Sequence, residues 1–245
     1  MQRAKLIVIE GTDGSGKETQ SKKLEEYLLS EGLNVKRYSF PIYSSSTGRI
    51  VGGPYLGKPE IGETYFEETS AFVDPLVSSL YYAADRRYNF LKEIENEMYN
   101  NDVVILDRYV TSNMGHQAGK AKTKKQMDQI LDFIDKLEYD LCELPRPDAV
   151  VFLHMPYEAA YDLRKDRVSG DGNEDSVEHL KNAEDAYLKI YRRYNWRYIN
   201  CLKSRTYKGP ESIKTIDDIS KEVIEKVKEE LDKVSSTKLK MTRFS

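Results

Sequence analysis

Short apolar runs alternate along this chain with stretches whose apolar residues recur every three or four positions. Lys5–Glu10, built on Leu6-Ile7-Val8-Ile9, reads as a first strand. A helix over Lys17–Gly32 follows, with Leu24, Tyr27 and Leu28 on one face and Gly32 as its stop signal. Asn34–Phe40 reads as a second strand, and the Ser/Gly-rich Ser44–Pro59 as a loop holding a short helix. A long helical stretch spans Ser70–Asn100 with a break near Pro75, and Asp102–Asp107 is a buried-type strand ending in a carboxylate. Lys124–Cys142 is helical by the spacing of Ile130, Phe133, Ile134 and Leu137. Ala149–Leu153 is a fourth strand, entered through the extended Leu144-Pro145-Arg146-Pro147, and Arg197–Cys201 a fifth. After the polar loop Lys203–Ser212, Thr215 and Asp218 mark the start of a final amphipathic helix by capping logic. The basic tail, residues 235–245, is expected to fray.

Strands this uniformly apolar, interleaved with helices, predict an α/β fold: a parallel sheet covered on both faces, within one domain over residues 1–234. In such sheets ligands bind at the carboxyl ends of the strands, and Gly11 and Asp107 both fall there. Between the first strand and first helix stands Gly11-Thr12-Asp13-Gly14-Ser15-Gly16-Lys17-Glu18-Thr19. Its glycines let the backbone wrap an anion, the helix start offers N–H groups and positive potential, and Lys17 reaches outer phosphate oxygens: a P-loop. The hydroxyl that normally follows the lysine and holds Mg²⁺ is replaced by Glu18, with Thr19 one place later. A Rossmann dinucleotide site is a poor match, since the third glycine position holds Thr19. Asp107 suits a carboxylate that organises Mg²⁺, and Arg108 beside it suits a planar fork on phosphate oxygens.

Composition narrows the choice. A net charge of -3 gives no global basic field for a nucleic-acid polymer, so any phosphate-binding charge must be local. Two cysteines are too few for a disulfide framework and suit a reducing compartment. No apolar run reaches the length of a membrane span, and Met1–Lys5 leads straight into a strand rather than a secretory signal, so a cytoplasmic protein is expected.

Glu10 with the P-loop, then Phe40-Pro41, then Ala84-Asp85-Arg86, then Asp107-Arg108-Tyr109 through Gln117, resemble the thymidylate kinase family in order and spacing. The resemblance spans about residues 4–201 and resumes in the final helix. It implies a five-stranded parallel P-loop kinase sheet with a small helical lid, a homodimer, and transfer of the γ-phosphoryl group of ATP to dTMP with Mg²⁺. Carried over by position, it implies that Lys17 and Arg108 are catalytic, that Asp13 lies near the acceptor sugar and the metal, and that Asp107 organises the metal. Tyr82 stands where an aromatic stacks on thymine, Arg86 where an arginine reaches a thymine carbonyl, and Asn113 and Gln117 near the base and sugar. Phe40 and Tyr43 match positions near the acceptor site, and His116 stands where relatives carry Tyr or Phe against the sugar. Without the resemblance, Tyr82 reads as a core residue and Ser112–Gln117 as an ordinary polar loop.

The lid, about residues 164–175, would supply Arg164 or Arg167 to the transferring phosphates, because Gly14 leaves the P-loop without an arginine of its own. Glu174 matches a lid carboxylate, whereas the arginine often found two residues earlier is Gly172. The expected partners are thus ATP and dTMP, with no nucleic-acid polymer and no membrane. Two alternatives stay open: a kinase for another nucleoside monophosphate or a deoxynucleoside, and a non-catalytic P-loop protein that only binds nucleotide.

Overall fold

Along the first strand, side chains point alternately to two different cores. Leu6 and Val8 join a cluster with Phe90, Val104, Leu106, Leu131, Ile134, Phe152 and Ile190, while Ile7 and Ile9 join Leu24, Leu28, Ile105, Val151, Leu153, Val223 and Val227. Both faces are buried, which explains why the strands show unbroken apolar runs instead of alternation. The computed structural model describes residues 3–163 and 177–241, with side chains of the last helix as far as Lys233. Arg164, Arg167, Gly172 and Glu174 lie outside the described residues.

The strands are β1 (Lys5–Gly11), β2 (Val35–Ser39), β3 (Val103–Asp107), β4 (Ala149–His154) and β5 (Arg197–Asn200). They form one all-parallel sheet in the order β2-β3-β1-β4-β5. On one face lie α3 (Pro75–Asn89), α4 (Glu95–Asn100), α5 (Val110–Ala118), α6 (Lys124–Asp135) and α8 (Val177–Arg193). The other carries α1 (Lys17–Ser30), α7 (Tyr157–Asp162) and α9 (Ile216–Met241), and α2 (Ser46–Ile50) follows β2. The expected α/β sheet with helices on both faces is the observed one.

Several element bounds differ from expectation for physical reasons. The stretch read as helical from Ser70 begins at Pro75, where Asp74 caps it by accepting from Leu76 and Val77 N–H groups at 2.9 and 3.1 Å. Helix α6 carries a Thr123–Gln126 capping box and relaxes into a π-helical turn at Lys136–Leu141. Thr215 caps α9 through the Asp218 N–H at 3.1 Å, as the pattern predicts, but the helix runs on to Met241, into the stretch read as a fraying tail. The polar segment Ser112–Gln117, which looks like a loop, is the body of α5, and Ser112, Asn113 and Gln117 are buried.

Helix α5 meets α8 at close range. A Cβ on Gly115 would collide with the Tyr187 ring, and the adjacent His116 stacks on His179 with centroids 5.5 Å apart and Nδ1 to Nε2 at 3.3 Å. Burial pushes His116 down to about 3, with His179, Arg108 and Lys17 adding to the fall and Asp13 opposing it. Burial pushes His179 down to about 4, helped by Lys120 and opposed by Asp13. Both imidazoles are therefore neutral at pH 7. Since each binds its proton more weakly when folded, the unfolded chain takes up protons first once pH falls below ~6.5. The stability held by the neutral pair is fully present above that value and is lost progressively toward pH 4. Denaturant unfolding measured from pH 7 to 5 should show a loss on the order of a few kcal/mol from this pair. The His116→Gln/His179→Gln double variant should show a flatter decline; an unchanged slope would contradict the assignment.

Candidate active site

The register of the three central strands sets the site. Ile9 and Ser39 both lie beside Asp107, so the loops leaving β1, β2 and β3 open at one rim. The P-loop spans Gly11 to Lys17 at that rim. A Cβ on Gly11 would stand 2.5 Å from Ser15 Oγ and 2.6 Å from the Leu153 carbonyl, so glycine is required for the loop to fold back on itself. Gly16, left-handed at φ 86°, begins α1 with no side-chain cap and with open space where a Cβ would project. A helix end without a capping side chain keeps its first N–H groups for an anion.

Lys17 and Arg108 converge. The Lys17 ammonium donates to the Thr12 carbonyl at 2.8 Å and lies 3.7 Å from Asp13 Oδ1, and the Arg108 guanidinium pairs with the same Asp13 oxygen. Arg108 is held at φ 66°, a conformation costly to a residue with a Cβ, which turns its fork back over β1 toward the loop. Burial would raise the Asp13 carboxyl, but Arg108 and Lys17 hold it well below the usual carboxylate range. The same burial lowers the Lys17 ammonium, with Arg108 adding to the fall and Asp13, Asp107 and Glu10 opposing it.

Asp107 accepts from Ser39 Oγ at 3.2 Å through Oδ2, while its Oδ1 is buried without a protein partner. Ser15 Oγ in the P-loop is likewise buried and unpartnered. No group of three or more His, Cys, Asp or Glu that could hold a metal occurs among the described residues. An unpartnered carboxylate oxygen at a phosphate-facing rim fits Mg²⁺, which usually takes one or two carboxylates and completes its shell with phosphate and water. Glu18 does not join this set; its exposed side chain pairs with Lys22 at 2.5 Å, and Thr19 is also exposed.

The residues expected at the acceptor come from the end of β2, from α3 and from α5. Phe40 leans on Tyr109 with ring centroids 6.3 Å apart, and its N–H donates to the Asp107 carbonyl at 3.0 Å. Tyr43 and Tyr82 share a cluster with Val51, Tyr55 and Val73. Tyr82 meets Tyr55 edge to face at 5.6 Å, so the packing role and the predicted stacking role fall on one residue. Arg86 is not a surface charge, because its Nε and Nη2 form a buried fork on Glu138 at 2.5 and 2.7 Å. Asn113 Oδ1 and Gln117 Oε1, one helical turn apart on α5, are buried without partners.

Three residues to which the sequence assigns no role organise these parts. Glu10, fully buried, accepts from the Gly11 N–H and the Tyr187 hydroxyl at 2.9 Å, from Thr111 at 2.6 Å and from Ser112 at 2.8 Å. A carboxylate inside an apolar strand was the signal. Asp85 fastens the loop after Pro41 to α3 by accepting from Ile42 N–H at 3.1 Å, Thr47 at 3.0 Å and Asn89 at 2.8 Å. Glu138 falls on the buried side of the α6 stretch, four residues after Ile134, where a carboxylate is out of place unless paired.

Comparison with known proteins agrees with this geometry. The Thymidylate kinase family model matches residues 9–208. A thymidylate kinase of Prochlorococcus marinus strain MIT 9312 is 31% identical over 222 residues, covering 91% of this chain and 96% of the relative. Thymidylate kinase structures from Candida albicans and Ehrlichia chaffeensis share the fold, with TM-scores of 0.65 and 0.59. Each is 24% identical, and they cover 93% and 92% of this chain, and 94% and 99% of their own. With a model match over most of its length and a P-loop lysine and strand-end arginine meeting on one rim, the chain belongs to the thymidylate kinase family.

Proposed function

We propose that this protein transfers the γ-phosphoryl group of ATP to dTMP, giving dTDP. The observation that carries this reading is the convergence of Lys17 and Arg108 on Asp13, which places cations from two different loops where two phosphate chains can meet. Phosphoryl transfer needs alignment and charge stabilisation more than covalent help, and a nucleotide phosphate is already an anionic nucleophile. The P-loop amides and Lys17 hold the ATP phosphates. Arg108, released from Asp13 by a stronger anion, draws the dTMP phosphate into line. Asp107 would hold Mg²⁺ through its unpartnered Oδ1. That ion, when bound, would neutralise charge on the donor phosphates. Until phosphate takes its place, Asp13, shared between Lys17 and Arg108, keeps the two cations at the rim.

Phe40, Tyr43, Tyr82, Arg86, Asn113, His116 and Gln117 form the proposed dTMP pocket, supported by two unpartnered amide oxygens on α5. Arg164 and Arg167 remain candidates for closing over the phosphates on sequence grounds. A cytoplasmic setting accords with the free thiols of Cys142 and Cys201. A homodimer is supported by an apolar stripe on the outer side of α3 and the turn after it. Val77, Leu80, Tyr88 and Leu91 there are 38%, 50%, 38% and 51% exposed.

Three outcomes test these statements. In an ADP-release assay across dTMP, dUMP, CMP, GMP and thymidine, dTMP should be the best acceptor; preference for thymidine, or ATP binding without any product, would refute the reading. Lys17→Ala and Arg108→Ala should each lower kcat by about 100- to 1000-fold with little change in melting temperature, as expected when one charged donor to a transition state is removed. Near-wild-type turnover in either would remove it from the mechanism. Leu80→Glu should convert a dimer to monomer in light scattering; a wild-type mass that is already monomeric would refute pairing through α3.

A further inference from the structure

Glu138 belongs to none of the motifs, yet it touches two residues of the proposed acceptor pocket. Its side chain is fully buried; Oε1 accepts from Arg86 Nη2 at 2.7 Å and from Asn113 Nδ2 at 2.9 Å, and Oε2 accepts from Arg86 Nε. The second Nδ2 hydrogen of Asn113 goes to the Ser79 carbonyl at 3.2 Å. A carboxylate and a carbonyl can only accept, so the Asn113 amide has one allowed orientation: nitrogen toward Glu138 and Ser79, oxygen away from them. That oxygen is the buried, unpartnered Oδ1. Arg86 is fixed in the same way, with its Nε edge spent on Glu138 and its Nη1 group left outside the fork.

We propose that Glu138 is a positioning residue for the acceptor base, acting through Asn113 and Arg86; the proposal rests on the dTMP-kinase reading above. With both side chains oriented by one carboxylate, they present a hydrogen-bond acceptor beside a cationic donor. A pyrimidine with a protonated N3 and a carbonyl at C4, as in thymine or uracil, is complementary to that pair. Cytosine, with a bare N3 and an amino group at C4, is opposed at both atoms. A site built around such buried polar groups rejects a mismatched ligand strongly, because the mismatch leaves those groups unpaired. Glu138 thus fixes which base is accepted without touching it. Ser79, Tyr82 and Arg86 recur at three- and four-residue spacing along one side of α3, which places this carboxylate behind the predicted stacking ring.

The test compares wild type, Glu138→Gln and Glu138→Asp in steady-state phosphorylation of dTMP and dCMP, with KM for ATP and melting temperature recorded for each. The amide introduced by Glu138→Gln keeps one accepting oxygen and sets an N–H donor where the other stood, so either Asn113 Nδ2 or Arg86 Nε faces a donor and that side chain is no longer held in its orientation. The expected result is a fall of at least ~10-fold in the dTMP-to-dCMP ratio of kcat/KM, carried by KM for dTMP, with KM for ATP within about two-fold of wild type. A folded Glu138→Gln protein with the wild-type ratio would overturn the proposal, since a purely structural role would lower melting temperature and leave selectivity alone. If Glu138→Gln does not fold, Glu138→Asp decides. It keeps two accepting oxygens but lacks the reach to hold both partners, so dTMP KM should rise ~10-fold with ATP KM held. An unchanged dTMP KM in that variant would also overturn the idea. A wild-type enzyme inactive on dTMP would sink the functional reading and this inference with it, whereas an active wild type with unmoved variants would sink this inference alone.

Discussion

Two cations brought to one rim repel each other, and the site depends on the carboxylate placed between them. At ~4 Å, two unit charges at a partly desolvated surface interact by about 4 kcal/mol. Lys17 and Arg108, which both approach one carboxylate, carry a repulsion of this kind that a charge between them offsets. Asp13 does so with a single oxygen, 3.7 Å from the lysine and paired with the arginine. Within a phosphate cradle an aspartate is electrostatically unwelcome unless it has this task. On the proposed function, two phosphate chains would present far more negative charge than one carboxylate, and binding would exchange Asp13 for phosphate rather than fill bare positive charge.

Behind that rim Glu10 plays the complementary part with neutral donors. Its four partners come from the P-loop, from the first turn of α5 and from α8. A buried carboxylate needs its oxygens met by donors, and here those donors anchor three different parts of the rim. The distance between the arm carrying Lys17 and the arm carrying Arg108 is therefore fixed by hydrogen bonds from below. The strained φ of Arg108 persists because the chain around it is tied down, by Ile9 through the backbone and by Glu10 through Thr111.

The sheet was legible because burying both faces of a parallel strand leaves an unmistakable apolar run, and β1, β3 and β4 all show it. The P-loop was legible because glycine positions and a following helix are local facts. Helix α5 was not, since its buried face is Ser112, Asn113 and Gln117, and a periodicity argument looks for apolar residues on the buried side. The Arg86–Glu138 pair joins residues far apart in the chain, and the packing of α3 against the end of α6 that creates it has no local signature. Local rules break at these buried polar side chains, as they are expected to at places shaped by more than packing.

Glu18 poses the remaining chemical question, because a P-loop without a hydroxyl after its lysine would have to hold Mg²⁺ through other oxygens. The structure sends Glu18 to the surface against Lys22, so its carboxylate is not added to the cradle that Asp13 already occupies. Two buried oxygens of the rim lack protein partners, Ser15 Oγ inside the loop and Asp107 Oδ1 at the end of β3. An orphaned buried oxygen costs about 1–3 kcal/mol unless a ligand or water meets it. Asp107 would bear the larger share of a hard cation's demand, since its Oδ1 is unpartnered and, among the described residues, a single hydroxyl, Ser39, donates to its Oδ2. A cation held there would be served from the neighbouring strand, whose register with β1 fixes Asp107 beside the loop whichever side chain stands at position 18.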